Sequence, residues 1–238
     1  MKRCILNVAT GKYLNFQQRL INSLKAVNYS DSLITWTNQM PPNSPDHGSN
    51  PYAFKLFAID YALAQGFTNI LWCDSSVYFL KHPDSLFEKI KQDGHFFIIG
   101  GDQLGNWTSD MALELFQETR DSVLEKKFEL LGGTIYGFDF NNPTTIEFFK
   151  LWKYYYSLGA FKGFYMNSCG DIPDNIRHIK KDKNYGVVST DKRCRGHRHD
   201  ETIASFIAYK LHMKLTYIGG DRMFQGNTEA CVAKSGYI

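Results

Sequence analysis

The sequence predicts an α/β fold, a mostly parallel sheet flanked by helices, and three observations carry that prediction. Short apolar runs at Cys4–Ala9, Ser32–Trp36, Asn69–Cys73 and His95–Gly100 alternate with amphipathic stretches long enough for helices. The runs are nearly continuous in apolar residues, as strands covered on both faces are. No linker or shift in composition divides the 238 residues, so a single domain over 1–238 is expected.

Taken in order, Cys4 to Ala9 reads as the first buried strand, and Thr10-Gly11-Lys12-Tyr13 as the loop at its carboxyl end. In an α/β sheet that loop faces the ligand cleft, and a glycine there lets backbone amides approach a phosphate or a base. Phe16 to Val27 is a helix with Leu20, Leu24 and Val27 turned inward, and Ser32 to Trp36 a second strand. The polar, proline-rich segment 38–50 has no periodicity and reads as a lid or as an ordered wall of the cleft. A helix from Pro51 to Gln65 follows, with Phe54, Phe57, Ala58, Tyr61 and Ala62 on its inner face and Gly66 as its stop. Lys55 falls on its polar face, either solvated or aimed at a diphosphate.

The run Asn69-Ile70-Leu71-Trp72-Cys73 is too short for a helix and ends in Asp74-Ser75-Ser76, a strand whose carboxyl end displays a carboxylate and two hydroxyls. Such an aspartate either caps the next turn or holds a divalent cation carrying a phosphorylated ligand. Val77 to Leu80 is extended, and a helix over Ser85–Gln92 follows Pro83. The strand His95–Gly100 leads to Trp107, which either stacks on a sugar or base or plugs a hydrophobic gap. Ser109 or Asp110 caps a helix over Met111–Thr119. Gly132-Gly133 opens an alternating strand to Phe140 and requires something to pass close to the backbone. Asn142-Pro143 starts a helix to Tyr156 with Ile146, Phe149 and Trp152 inward.

Between Tyr165 and Thr190 the chain is irregular and includes the basic run Lys180-Lys181-Asp182-Lys183. Then three arginines, two histidines and two acids crowd into Arg193-Cys194-Arg195-Gly196-His197-Arg198-His199-Asp200-Glu201-Thr202, at the start of an apolar helix from Ile203 to Leu211. A helix N-terminus already attracts anions, so this cluster reads as an anion-recognition or catalytic site, with Asp200 or Thr202 as a plain cap the simpler account.

Composition narrows the function. At 43% hydrophobic and 15% aromatic residues the chain can bury a large core, and a formal charge of +3 without clustering does not suggest a nucleic-acid binder. Five cysteines without repeated spacing argue against a disulfide framework or zinc ribbon and suit a reducing compartment. No stretch reaches the roughly 18 apolar residues of a membrane span, and the start is too short an apolar run for a signal peptide, so a cytoplasmic location is expected. The glycosylation triplets at Asn28 and Asn106 carry little weight on that expectation.

Three stretches, Asn50-Pro51-Tyr52-Ala53-Phe54-Lys55 leading to Leu71–Ser76, Gly132–Phe138 and Arg195–Thr202, together with the order of elements, resemble the nucleotide-sugar glycosyltransferases of the GT-A fold. The resemblance is nearer to a group of uncharacterised glycosyltransferases of bacteria and large viruses, and spans residues 4–218. In that fold an Asp-x-Asp signature holds Mn²⁺ or Mg²⁺ against the donor diphosphate. Here it would be Asp74-Ser75-Ser76, with a hydroxyl in place of the second carboxylate, so the metal would rest on Asp74 and Ser76 or be replaced by Lys55.

The resemblance implies a donor, UDP-sugar first, bound by Ala9, Thr10, Gly11, Tyr13, Lys55, Asp74, Ser75, Ser76 and Arg198. It implies a glycan or other hydroxyl acceptor near Trp107, Asp110, Gly132, Gly133 and His197. If the transfer inverts, the base is Asp200, with Glu201 second; if it retains, Asp200 positions the sugar instead; in either case His199 orients the sugar or diphosphate. A binding domain without turnover and a nucleotidyltransferase are the competing readings, although Ala9-Thr10-Gly11-Lys12 is a poor phosphate loop.

Overall fold

The computed structural model describes residues 2–171, 185–216 and 231–234. The basic run Lys180–Lys183 lies outside them. Among the described residues the strands are β1 (Arg3–Ala9), β2 (Ser32–Thr37), β3 (Asn69–Cys73), β4 (Val77–Phe79), β5 (His95–Gln103), β6 (Glu129–Asp139), β7 (Met166–Asn167), β8 (Tyr185–Gly186) and β9 (Val232–Lys234). The helices are α1 (Leu14–Ala26), α2 (Phe54–Ala64), α3 (Asp84–Asp93), α4 (Asp110–Leu115), α5 (Arg120–Glu125), α6 (Pro143–Ser157) and α7 (Asp200–Lys210).

The main sheet has the order β2-β1-β3-β6-β5. β1 pairs parallel with β2 and β3, whereas β6 runs antiparallel to both of its neighbours, so the sheet is mostly parallel with one reversed strand. From β1 the chain steps to β2 on one side and later to β3 on the other. That reversal opens a crevice beyond the carboxyl ends of β1 and β3, where Ala9-Thr10 and Asp74 leave the sheet.

Alternation along the strands distributes the core. Cys4, Leu6 and Val8 of β1 and Ile70 and Trp72 of β3 pack beneath α2, α6 and α7, while Ile5, Leu71 and Cys73 pack against α1 and α3. The segment that carries Asp74 is therefore pinned from both faces.

Three helix expectations need correcting. The inner face of α2 is Lys55, Leu56, Ala58, Ile59 and Ala62, while Tyr61 is exposed. This helix is apolar almost all round, so its pattern did not choose the face. The helix expected over Met111–Thr119 stops at Leu115, and α5 begins after Thr119, whose side chain forms a capping box with Ser122. In α6, capped by Asn142, the inward residues include Phe148, Phe149, Trp152 and Tyr155, and Ile146 faces out.

A buried polar network braces the crevice. Asn7 Nδ2 donates to Cys73 O at 2.8 Å and to Ser75 Oγ at 3.2 Å, Gln17 Nε2 donates to Asn7 Oδ1 at 2.8 Å, and Thr37 Oγ1 donates to Gln17 Oε1 at 2.7 Å. Ser75 Oγ in turn donates to Val8 O at 3.0 Å. The ends of β1, β2 and β3 and the start of α1 thus share one set of satisfied groups.

Candidate active site

A cavity of about 360 Å³ occupies the crevice, lined from below by Val8, Ala9, Thr10, Asp74, Ser75 and Ser76 and from the side by Tyr13, Met40, His47, Tyr52, Phe54, Trp72 and Thr134. Of the donor residues expected from the sequence, Ala9, Thr10, Tyr13, Asp74, Ser75 and Ser76 line it; Gly11, Lys55 and Arg198 do not. Met40 and His47 come from segment 38–50, expected as a lid or an ordered wall of the cleft, and Tyr52 and Phe54 from the start of the helix expected over Pro51–Gln65; together they make this wall largely aromatic. Tyr52 holds φ +60° and its amide donates to His47 Nδ1 at 3.1 Å, so a bulky residue sits in a left-handed conformation at the rim.

Asp74 Oδ1 accepts from Trp72 Nε1 at 2.8 Å, and its second oxygen has no hydrogen-bond partner among the described residues. Its side chain is 30% exposed. Ser75 differs from expectation because its hydroxyl is committed to Asn7 and Val8 and offers a ligand nothing.

Behind Asp74 lies a buried charge cluster. Lys55, 1% exposed, places its ammonium 2.7 Å from Asp200 Oδ2, 2.7 Å from Gly133 O and 3.8 Å from Asp74 Oδ1, among the rings of Tyr136, Tyr52 and Trp72. Lys55 is therefore neither solvated nor free to meet a diphosphate. Burial pulls its pKa down, but Asp200, Asp74 and Glu201 outweigh that and leave it raised. Asp200 is raised by burial against the pull of Lys55. It is enclosed and ion-paired to Lys55, where the sequence leads one to expect a base open to an acceptor.

Glu201, the next residue, is partly exposed. Its Oε1 accepts from the Gly133 amide at 2.9 Å, and its other oxygen has no hydrogen bond among the described residues. Burial raises its pKa, opposed by Lys55 and Arg198. The double glycine is explained here by the protein itself. A Cβ on Gly133 would stand 2.5 Å from Glu201 Cγ, and one on Gly132 would stand 3.2 Å from Ile98. The close neighbours are the chain's own side chains. Gly133→Ala is accordingly expected to push Glu201 off its amide and to cost about 1–3 kcal/mol of stability, measurable by urea unfolding.

The histidines are uncharged. His197 is fully buried, accepts from Ser109 N at 3.3 Å and donates from Nε2 to Ala160 O at 2.9 Å. Burial lowers its pKa to about 4, and it does not line the cavity. His199 donates from Nδ1 to Phe161 O at 2.9 Å, and burial, with His197 beside it, lowers it to about 3. Its φ of +52° turns the chain sharply into α7, and its ring packs on Tyr52 and Tyr165. Thr202 is not a simple cap: its hydroxyl donates to Trp107 O at 2.7 Å and accepts from Arg198 N at 3.1 Å.

Two further expectations change. Trp107 is a buried plug packed with Leu104, Leu113 and Phe206, so it cannot stack on a sugar. Asp110 is exposed and pairs with the buried Arg120 at 2.8 Å, away from the cavity lining. Asp74, Lys55, Asp200 and Glu201 are brought together, and Tyr52 and His199 join them at the rim.

No group of three or more metal-ligating side chains exists among the described residues. The donor set does fit an ion that arrives on a substrate. Asp74 offers one oriented carboxylate with an open oxygen, Ser76 lies beside it, and the remaining ligands would be phosphate oxygens and water.

No family model and no curated protein matches the sequence. Solved structures do. A glycosyltransferase involved in the glycosylation of the major capsid of PBCV-1 matches at 11% identity, covering 100% of this chain and 96% of that one with a TM-score of 0.45. Mouse xyloside xylosyltransferase 1 matches at 12% identity over 94% and 87%, with a TM-score of 0.43. The galactosyltransferase LgtC, in complex with donor and acceptor sugar analogs, matches at 9% identity over 74% and 78%, with a TM-score of 0.40. All three of these are glycosyltransferases. At these identities and TM-scores the likeness leaves the chemistry to be argued from the side chains of this chain. No helix of the described residues is long and apolar enough to cross a membrane.

Proposed function

We propose that the chain is a glycosyltransferase that moves a sugar from a nucleoside-diphosphate sugar, UDP-sugar first, to a hydroxyl of a glycan or other acceptor. The observation that carries this reading is the cavity at the β1/β3 crevice, with Asp74 at its floor and the Lys55–Asp200–Glu201 cluster against it. Tyr13, His47, Tyr52 and Phe54 give a nucleoside flat apolar faces, and Thr10 gives its ribose a polar neighbour.

Cleavage at the anomeric carbon leaves negative charge on the diphosphate. The cavity lining contains no lysine or arginine, and Asp74 alone would repel a bare diphosphate. A divalent ion carried on the phosphates and resting on Asp74, Mn²⁺ or Mg²⁺, would supply the missing positive charge. Lys55 serves differently: from behind, it holds Asp200 and the Gly133 carbonyl in place and so fixes the start of α7. Glu201 is the carboxylate with an oxygen left for substrate. Burial raises its pKa, so once ionised it takes a proton from the acceptor hydroxyl or from water more readily than an ordinary glutamate does.

The test is a thermal-shift panel of UDP, GDP and their sugars with and without Mn²⁺, followed by release of free nucleotide. Ligand at about a hundred times its Kd adds about 2.7 kcal/mol, which in a domain of this size raises Tm by about 5–10 °C. UDP with Mn²⁺ is expected to give such a shift, and Asp74→Ala to abolish it. No shift with any nucleotide in either condition overturns the reading, and a shift without turnover of any sugar nucleotide leaves a binding domain.

A further inference from the structure

Arg198 has a use that the transfer chemistry above does not require. Its guanidinium carbon lies 3.7 Å from the centroid of the Trp107 ring and 3.7 Å from that of Tyr165, two rings tilted 45° to each other with centroids 6.4 Å apart, so the group is held between them. Its backbone is held as well, the amide meeting Thr202 Oγ1 at 3.1 Å and Trp107 O at 3.3 Å. Yet the guanidinium donates no hydrogen bond and joins no ion pair among the described residues, and none of its nitrogens is sealed from solvent.

The neighbouring carboxylates have other partners. Asp102 is met by Arg195 at 3.7 Å, and Glu201 by the Gly133 amide. Glu201 and Tyr52, which lines the cavity, both act electrostatically on the guanidinium, so Arg198 stands on the Glu201 side of the site.

A guanidinium held between two rings donates in its own plane. A partner that matches two parallel N–H groups in one plane is a carboxylate, whereas a lone hydroxyl takes one bond. We infer that Arg198 reads the carboxylate of an acidic sugar, carried by either the donor or the acceptor. This rests on the sugar-transfer reading for which molecule brings the sugar, but not for the chemistry of the fork. Burial lowers the arginine's pKa while Glu201 and Asp102 oppose it, and the group stays charged throughout the physiological range.

The full chain is titrated by NMR with two matched pairs: UDP-glucuronate against UDP-glucose, and methyl glucuronide against methyl glucoside. A charge-assisted bidentate contact corresponds to about 10- to 100-fold in affinity. In one of the two pairs the carboxylated member is expected to bind at least about tenfold more tightly than its neutral partner. The pair that shows the preference identifies donor or acceptor as the source. Arg198→Lys keeps the charge but loses the fork, and Arg198→Gln loses both; each is expected to bring the ratio to within about twofold.

Because the ratio compares two ligands in the same variant, a loss of folded protein on losing the ring-filling side chain cancels from it. A wild-type ratio near one in both pairs overturns the inference. So does a preference that survives both substitutions, or a failure of both carboxylated sugars to bind at millimolar concentration. UDP is titrated separately: its failure to bind would sink the transferase reading, while the glucuronide pair would still report on the fork.

Discussion

Glu201→Gln lowers turnover of a sugar nucleotide by about a hundred- to ten-thousand-fold while leaving donor affinity within a few-fold of wild type. The amide keeps the shape of the carboxylate and can still accept from the Gly133 N–H, so the 2.9 Å contact that orients the side chain survives. What is lost is the ability to take a proton. The pH dependence follows from the same assignment. Burial raises the Glu201 pKa, so the ionised base accumulates only as pH climbs through that raised value. Wild-type kcat should rise with pH across the range above an ordinary glutamate, and the residual rate of Glu201→Gln should be flat there. Stopped assays of nucleotide release at a series of pH values check both, and a variant with wild-type kcat contradicts the role given to Glu201.

Lys55→Met is expected to cost about 3–5 kcal/mol of folding stability, a large part of what an ordinary domain possesses. Methionine roughly fills the space, so the loss is not mainly one of packing. It arises because Asp200, 1% exposed and 2.7 Å from the ammonium, is left with an uncompensated charge and Gly133 O loses its donor. The double variant Lys55→Met/Asp200→Leu should recover much of the loss, because both charges leave together.

The sign with pH distinguishes this account from simple misfit. In the single variant the Asp200 carboxyl, already raised by burial, rises further. The wild-type carboxyl is itself held at about 7, so the folded variant binds more protons than the folded wild type only between that value and its own, higher pKa. The deficit of Lys55→Met should therefore shrink as pH falls through that window. In the wild type the raised Lys55 pKa means its contribution is complete below about pH 10.4 and is lost only above it. Urea unfolding at several pH values measures the deficit, and one that stays constant with pH contradicts the explanation.

The strands of the main sheet were legible because most are short apolar runs closed by a turn residue, and alternation along β1 and β3 tells both faces apart. The reversed direction of β6 was not, since a strand buried on both faces looks the same in either sense. In the site, Asp74 could be read because a carboxylate that interrupts a fully apolar strand stands out. The fate of Lys55 could not, because one lysine in a helix that is apolar almost all round reads as its polar face; only the fold shows that the partner lies 145 residues away.

The same applies to the histidine and arginine turn. Its composition suggested a field of positive charge, but carbonyls of Ala160 and Phe161 fix His197 and His199 as neutral rings, and Arg193 pairs with Asp121 and Asp191 at the surface. Asp200 and Glu201 could not be told apart in the sequence, because adjacent acids at a helix start are indistinguishable until burial separates them. A signal did exist for Glu201: a double glycine entering a strand requires a close neighbour, and that neighbour is its side chain.

The central claim is that a sugar nucleotide lies in the β1/β3 crevice with its diphosphate at Asp74 and its sugar facing Glu201. A crystal structure of the complex with a non-hydrolysable UDP-sugar and Mn²⁺ tests it most directly. The account predicts the uracil among Tyr13, His47, Tyr52 and Phe54, the diphosphate and ion on Asp74, and the anomeric carbon between that ion and Glu201. A nucleotide bound outside this cavity, or one whose sugar points away from the start of α7, would contradict it.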